Sequence, residues 1–420
     1  MGIIVQKFGG TSVADSEKIK NVASAALREK NKGNQVVIVV SAMGHTTDNL
    51  IKLSKEITLK PSEREMDMLM SVGEQISMSL LAMAIQETGN DAISLTGLQA
   101  GIQTENCHMC ARIVDINPSK IKKHLDEGKI VIVAGFQGVC EDNEITTLGR
   151  GGSDTTAVAI ASAIQADRCD IYSDVEGVYT CDPRIVKTAQ KLDKISYEEM
   201  LELARVGANV LHPRSVETAK ANKIPMRVRS SFKLEDLGTL IIGVEEMELN
   251  KPVTGLACDS SQTRIVICDV EDKPGNAAKL FNLLAEKNIS VDMIIQSYAR
   301  QSNNTNDIAF TISNDDLNKF NQIKEEIYGI VNTSNIHIDS DITRVSIVGA
   351  GMIDRPGIAA KMFNTLAQEK INIKMISTSE IKISCLVEKQ YKDQAAVALA
   401  KVFDLDGAEI ADVKGDLPVV

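Results

Sequence analysis

Over about the first 230 residues the hydrophobic positions change period again and again. Ile3-Ile4-Val5, Val36-Val37-Ile38-Val39-Val40 and Ile130-Val131-Ile132-Val133-Ala134 are unbroken apolar runs, as strands covered on both faces require. Between them apolar residues return every three or four positions. Ile19, Val22, Ala23, Ala26 and Leu27 form one such set; Met66, Leu69, Met70, Gly73, Ile76 and Leu80 form another. That spacing predicts helices with one buried stripe. The methionine-rich stretch Met66 to Met83 reads as a core helix. Strands and helices in alternation predict an α/β domain around a largely parallel sheet, with ligands beyond the carboxyl ends of its strands.

From Ser230 to about Asn250 the pattern lapses into a connection with Gly238, the charges Glu245, Glu246 and Glu248, and then Pro252. A repeat follows. Asp272-Lys273-Pro274-Gly275 returns 82 residues later as Asp354-Arg355-Pro356-Gly357, and at the same offset Ile265, Lys279, Phe281, Leu284-Ala285 and Met293-Ile294 match Ile347, Lys361, Phe363, Leu366-Ala367 and Met375-Ile376. Each copy reads strand, Pro-Gly turn, helix, strand. Ala277, Leu280, Phe281 and Leu284 give the helix one apolar face. Two copies are too few for a solenoid, so the units are expected to pack on each other or on a partner chain. The strand near Val253 to Cys258 is a candidate to complete the second unit's sheet.

Two glycine-rich turns carry candidate chemistry: Lys7-Phe8-Gly9-Gly10-Thr11-Ser12 and Gly149-Arg150-Gly151-Gly152-Ser153-Asp154. Each reads as a tight turn that opens a helix, where glycines admit an anion to the backbone and free amides point toward it. Neither fits the Walker pattern or Gly-x-Gly-x-x-Gly. Lys7 and Arg150 add cations, and together the turns suit a phosphorylated nucleotide beside an anionic substrate.

Composition narrows the classes. A chain of 420 residues, 44% hydrophobic and 25% charged, has room for two or three ordinary domains. A net charge of −11 argues against a general nucleic-acid or membrane-surface role, and 3% aromatic residues without Trp argue against a base-stacking platform. The start of the chain has no basic segment ahead of a long apolar one, and no apolar run approaches the ~18 residues of a membrane span, so a cytoplasmic protein is expected. Eight cysteines in this length do not make a disulfide framework. Cys107-His108-Met109-Cys110 has zinc-like spacing but no second ligand pair, so no metal site is assigned to it.

With the turns and the repeat together, the chain resembles the aspartokinases over essentially its whole length. Lys7 to Ser12, Ser41-Ala42-Met43-Gly44, Gly149 to Asp154 and Ser173-Asp174-Val175-Glu176-Gly177-Val178-Tyr179 carry the resemblance. It implies a three-layer αβα amino-acid-kinase domain (1–245) followed by two ferredoxin-like α+β ACT domains (246–340 and 341–420). It implies transfer of phosphate from ATP, with Mg2+, to L-aspartate, the step that opens lysine, threonine and methionine synthesis. A carboxylate nucleophile is already ionised, so the task is positioning and charge neutralisation. Lys7 is the neutralising cation, and Asp154 the organiser of Lys7 or of the magnesium shell. Arg150, able to grip a carboxylate with two hydrogen bonds, binds aspartate with Ser41, Thr47, Glu74 and Ser153. Phe8, Gly9, Gly10, Ser173, Asp174, Tyr179 and Arg184 join Lys7 on the nucleotide. Where some aspartokinases carry a second lysine this chain has Asn209, to which no role is given.

The paired ACT units imply feedback by an amino acid, lysine alone or with threonine, and a homodimer or larger assembly through these domains. Asp272, Gly275, Asn276, Ala277, Gln296 and Asp307 are the effector candidates in the first unit, and Ser379 and Glu380 in the second. Two alternatives stay open: a kinase acting on glutamate or acetylglutamate, and an amino-acid sensor without catalysis.

Overall fold

The computed structural model describes residues 2–208, 210–247, 251–298, 300, 304–333, 335–353 and 355–407. The chain divides into two compact units, residues 1–179 with 191–248 and residues 180–190 with 249–420. Asn209 lies outside the described residues.

The first unit is built on an eight-stranded sheet. Its order is Lys194–Ser196, Thr239–Ile242, Met226–Ser230, Arg168–Ser173, Ile3–Phe8, Gln35–Val40, Ile130–Ala134, Ala92–Leu95. Only the pair Met226–Ser230 and Thr239–Ile242 is antiparallel. The central strands are apolar on both sides because both sides are covered. Phe8, Val36, Ile38, Val40, Ile130 and Ile132 pack with Ile19, Val22, Met78, Leu81 and Ile85 of the helices Ser16–Asn31 and Val72–Gln86. The intervening Val5, Val37, Val39, Val131 and Val133 are equally buried. On a strand they face the other way, where the helix Gly152–Ile164 lies against the sheet. The three-layer α/β expectation is thus met, with a small second sheet of Ile113–Ile116, Ile102–Thr104, Gln137–Val139 and Ile145–Thr147 beside it.

Two local expectations need correcting. The first glycine turn does not open an α-helix directly. It leads into a 3-10 turn, Gly10–Val13, and the α-helix begins at Ser16, where the Asp15 carboxylate accepts the Lys18 amide at 2.9 Å. The methionine-rich helix is only half core. Glu63–Gln86 is long and apolar enough to cross a membrane by length and composition, and half of its apolar stretch is buried in the fold. Met66, Met70, Met78 and Leu81 are inside, whereas Val72, Ile76, Leu80 and Met83 are exposed.

The second unit holds two four-stranded sheets. Val291–Gln296, Thr305–Ser313, Gln262–Glu271 and Ile336–Asp339 form one, under the helices Asn276–Glu286 and Lys324–Val331. Gly255–Asp259, Ile342–Val348, Lys382–Glu388 and Met375–Ser379 form the other, under Ile358–Gln368 and Lys392–Val402. The strand Gly255–Asp259 therefore precedes the first repeat in sequence but belongs to the second one's sheet. The two repeats touch through Met293, Ile342, Met375 and Leu386. Arg344, 3% exposed, pairs with Asp259 at 3.0 Å and with Asp292. Residues 180–190 join this unit too: Cys181 and Val186 sit in the core of the second repeat, the Thr180 hydroxyl donates to Leu405 O at 2.6 Å, and Ala189 bridges to Asp406.

Candidate active site

Three turns emerge together at the carboxyl edge of the parallel sheet. Ile3–Phe8 runs in register between Gln35–Val40 and Arg168–Ser173, with Phe8 opposite Val40 and Tyr172. Gly9, Ser41 and Ser173 consequently leave the sheet side by side. The Gly9 amide donates to Tyr172 O at 3.2 Å, the Ser41 amide to Phe8 O at 3.1 Å, and the Gly44 amide to Gly10 O at 3.0 Å. The Ser77 hydroxyl, 2.7 Å from Ser41 O, ties the second turn to the helix Val72–Gln86.

Lys7 shares its sheet face with Val5, the face on which Gly152–Ile164 packs. Its ammonium lies 2.6 Å from Asp154 Oδ1 in the first turn of that helix, with the two side chains only 11% and 13% exposed. The turn before the helix needs glycine at 151: its φ is 70°, and a Cβ there would lie 2.2 Å from the His212 ring. Burial, and next Arg214, hold the His212 imidazole below its ordinary range. Glycine amides and a helix start beside this buried ion pair are groups that can take a phosphate.

Glu74 provides the acidic group. It is 3% exposed in the first turn of Val72–Gln86, and its Oε1 accepts the Ala42 amide at 3.1 Å. Its Oε2 is buried with no hydrogen-bond partner. Burial pushes the carboxyl up to about 8. An orphan carboxylate oxygen in this position is prepared for a cationic group, because an ammonium supplies both the charge and the hydrogen bond that the protein does not.

The remaining candidates divide. Ser153 is buried against Gly135, Thr47 is half-buried on the helix Thr46–Ile57, and Arg150 and Asp174 are exposed. Ser173 Oγ accepts the Val175 amide at 3.4 Å. Tyr179 is half-buried, its phenol raised by burial and then by Glu176. Arg184 falls in residues 180–190, with the second unit, where it forks onto Asp182 at 3.0 and 2.9 Å. The Phe8 ring is fully buried and stacks on Tyr172 at 4.5 Å, and its carbonyl accepts the Ser41 amide, so its side chain is a packing group of the core.

Two residues near the turns escaped the sequence reading. Asp67 is 0% exposed and accepts from Thr147 Oγ1 (2.6 Å) and the Met109 amide (3.1 Å), and it meets His108 Nδ1 at 2.7 Å. An acid among the methionines was its visible signal. His212 packs on Gly151 although sixty residues separate them in sequence; its signal was the pair His212-Pro213. Among the described residues no three His, Cys, Asp or Glu side chains converge as a metal site.

In the second unit a cleft of about 410 Å³ is lined by Asp272, Gln296, Tyr298, Arg300 and Asn306 among others. A second cleft lies against Arg355, Gly357, Thr378, Ser379 and Glu380. The two are the same place in successive repeats. Gly275, Asn276 and Ala277 start the helix beside the first, with Asn276 Nδ2 donating to Glu271 O at 2.8 Å. Asp307 holds Arg300 at 2.6 Å.

Residues 2–230 match the amino acid kinase family, and residues 264–331 and 345–403 each match the ACT domain. Aspartokinase 2 of Bacillus subtilis is 53% identical over 405 residues, 96% of this chain and 98% of the relative. The aspartokinase of Corynebacterium glutamicum is 49% identical over 98% of this chain and 99% of its own length. Among solved structures, Escherichia coli aspartokinase III in complex with aspartate and ADP is 27% identical, with a TM-score of 0.81 over 96% of this chain and all of that one. The same enzyme with lysine and aspartate gives 0.75 over 96% of this chain and 99% of that one, again at 27% identity.

Proposed function

The chain belongs to the aspartokinases, with a catalytic domain of the amino acid kinase family and two ACT domains, and on that footing we propose that it transfers the γ-phosphoryl group of ATP to the β-carboxylate of L-aspartate. The products are ADP and 4-phospho-L-aspartate, and the step opens lysine, threonine and methionine synthesis. The observation that carries this is the pairing of a buried Lys7–Asp154 ion pair with an unpartnered Glu74 oxygen at the same sheet edge. Lys7 neutralises the migrating phosphoryl group, and Asp154 holds Lys7 in place. Gly9 and Gly10 offer the backbone to the phosphates. Glu74 takes the substrate ammonium. Arg150 grips a carboxylate, with Ser41, Thr47 and Ser153 around it. Ser173, Asp174, Tyr179 and Arg184 are assigned to the nucleotide.

The donor set suits magnesium carried on the nucleotide. Magnesium keeps phosphate oxygens and water and takes only one or two carboxylates, and Asp154 and Asp174 are the ones on offer. When bound, the ion spreads the charge of the phosphates. Lysine, alone or with threonine, acts as feedback inhibitor at the ACT clefts, and those domains join two or more copies of the chain. The enzyme works in the cytoplasm. Trapping acyl phosphate with hydroxylamine tests the reaction: aspartate should yield hydroxamate with ATP and magnesium, and product from glutamate or acetylglutamate alone would refute the substrate assignment.

A further inference from the structure

Cys107 and Cys110 stand apart from everything used so far. Their sulfurs are 3.1 Å apart and both residues are exposed, whereas Cys140, Cys169, Cys181 and Cys385 are buried. A disulfide bond is about 2.0 Å long, so the two atoms need to close by only about an ångström. No metal cluster of three His, Cys, Asp or Glu forms here among the described residues.

The loop that carries them is fastened to the aspartate side of the active site. Between the two cysteines, His108 Nδ1 lies 2.7 Å from Asp67, and the Met109 amide donates to both Asp67 oxygens at 3.1 Å. Met109 sits at φ 66°, a strained conformation for a side chain of its size. The buried Asp67 carboxylate also accepts from Thr147 Oγ1, and Thr147 O accepts the Ala111 amide at 3.0 Å. Thr147 stands two residues before Gly149, and a Cβ on Gly149 would lie 3.1 Å from Met109 O. Nothing separates the dithiol loop from the turn that presents Arg150.

We propose that Cys107 and Cys110 are a reversible disulfide site whose oxidation shifts the Gly149–Asp154 turn and weakens aspartate binding. The oxidant is a low-molecular-weight disulfide. One cysteine thiolate attacks it, forming a mixed disulfide and releasing one small thiol. The second cysteine then displaces the other small thiol. Two electrons leave the protein, and both cysteine protons end on the two thiols released. Closing the ring moves His108 and Met109, Asp67 must follow, and Thr147 moves with it. The Cys107 thiol is raised, first by its hydrogen bond with Cys110 and further by burial and by the charges of Cys110, Glu105 and Glu63. Exchange should therefore be slow near neutral pH and quicken as pH rises. Reversible disulfides of this kind are how dithiols serve regulation in reducing compartments.

The bond does not depend on the proposed role of Arg150; its kinetic consequence does. The test incubates the full-length enzyme with oxidised glutathione, maps its peptides by mass, and measures KM for aspartate and for ATP. The expected result is a loss of 2 Da confined to the peptide spanning Cys107 and Cys110. KM for aspartate should rise about fivefold or more, with KM for ATP unchanged and full reversal by dithiothreitol. Cys107→Ser should keep the reduced enzyme's constants and not respond. Free thiols at both positions after excess oxidant would overturn the site. A mapped disulfide with unchanged KM would overturn its coupling to aspartate, and an equal response in Cys107→Ser would assign the effect to other cysteines.

Discussion

A single salt bridge decides what Lys7 can do. Held 2.6 Å from Asp154 and nearly cut off from water, it cannot swing to solvent, so its charge is in place before the phosphoryl group moves. Such preorganised charge acts most strongly on the transition state. Lys7→Ala should lower kcat by ~10²-fold or more, while Arg150→Ala should mainly raise KM for aspartate; steady-state kinetics on both separate the roles. Glu74 makes a different prediction. Its carboxyl is raised from 4.5 to about 8, so the free enzyme at neutral pH holds it largely protonated. An ammonium ligand needs it ionised, so aspartate binding should release a proton below pH 8, measurable by calorimetry in buffers of different ionisation heat. Glu74→Gln should abolish the release. Stability follows the same sign. A raised carboxyl stabilises the fold fully below pH 4.5 and loses that contribution as pH climbs to about 8. Glu74→Gln should therefore lose less Tm between pH 5 and 8 than the parent.

At the level of elements, each ACT repeat carries a cleft, the first against Asp272 and Gln296 and the second at the helix start after Pro356-Gly357. If lysine binds in the first, Asp272→Ala or Gln296→Ala should raise its inhibitory concentration by ~5-fold or more and leave uninhibited kcat alone; inhibition curves with lysine and threonine, singly and together, check this. Much of this layer was legible. The runs at Val36 and Ile130 announced buried parallel strands because a strand covered on both faces has no polar side to show. The ends of the runs at Ile3 and Val36 then located Lys7 and Ser41. What pairs across long stretches of sequence was not legible. Arg184 belongs with the second unit although Tyr179, five positions before it, belongs with the first, because the division falls at Thr180. Phe8 was read with the glycine turn that follows it, and only the register with Tyr172 shows that its ring faces the core. Asp67 was not legible either, because its partners come from two other segments, the loop at His108 and Met109 and the strand at Thr147.

Over the whole molecule the two compact units are not continuous in sequence: residues 180–190 leave the first unit and pack into the core of the last repeat. Cys181 and Val186 pack with Leu399 and Phe403, and Thr180 and Thr188 bond to Leu405 and Gly407. The order of synthesis gives this a consequence. A ribosome extends the chain from its amino end, so the catalytic sheet is complete some 160 residues before these partners exist. Until then the excursion is an unfilled apolar loop on an otherwise finished domain. Ribosome-bound chains halted near residue 290, with the last sheet strand clear of the exit tunnel, should be cut by protease within 180–190 while the sheet resists, and release of the full chain should close that site. A chain halted there and already resistant within 180–190 would mean that the loop finds cover of its own. The stretch around Leu405 thus covers a segment made more than two hundred residues earlier, and a chain halted short of it leaves that segment bare.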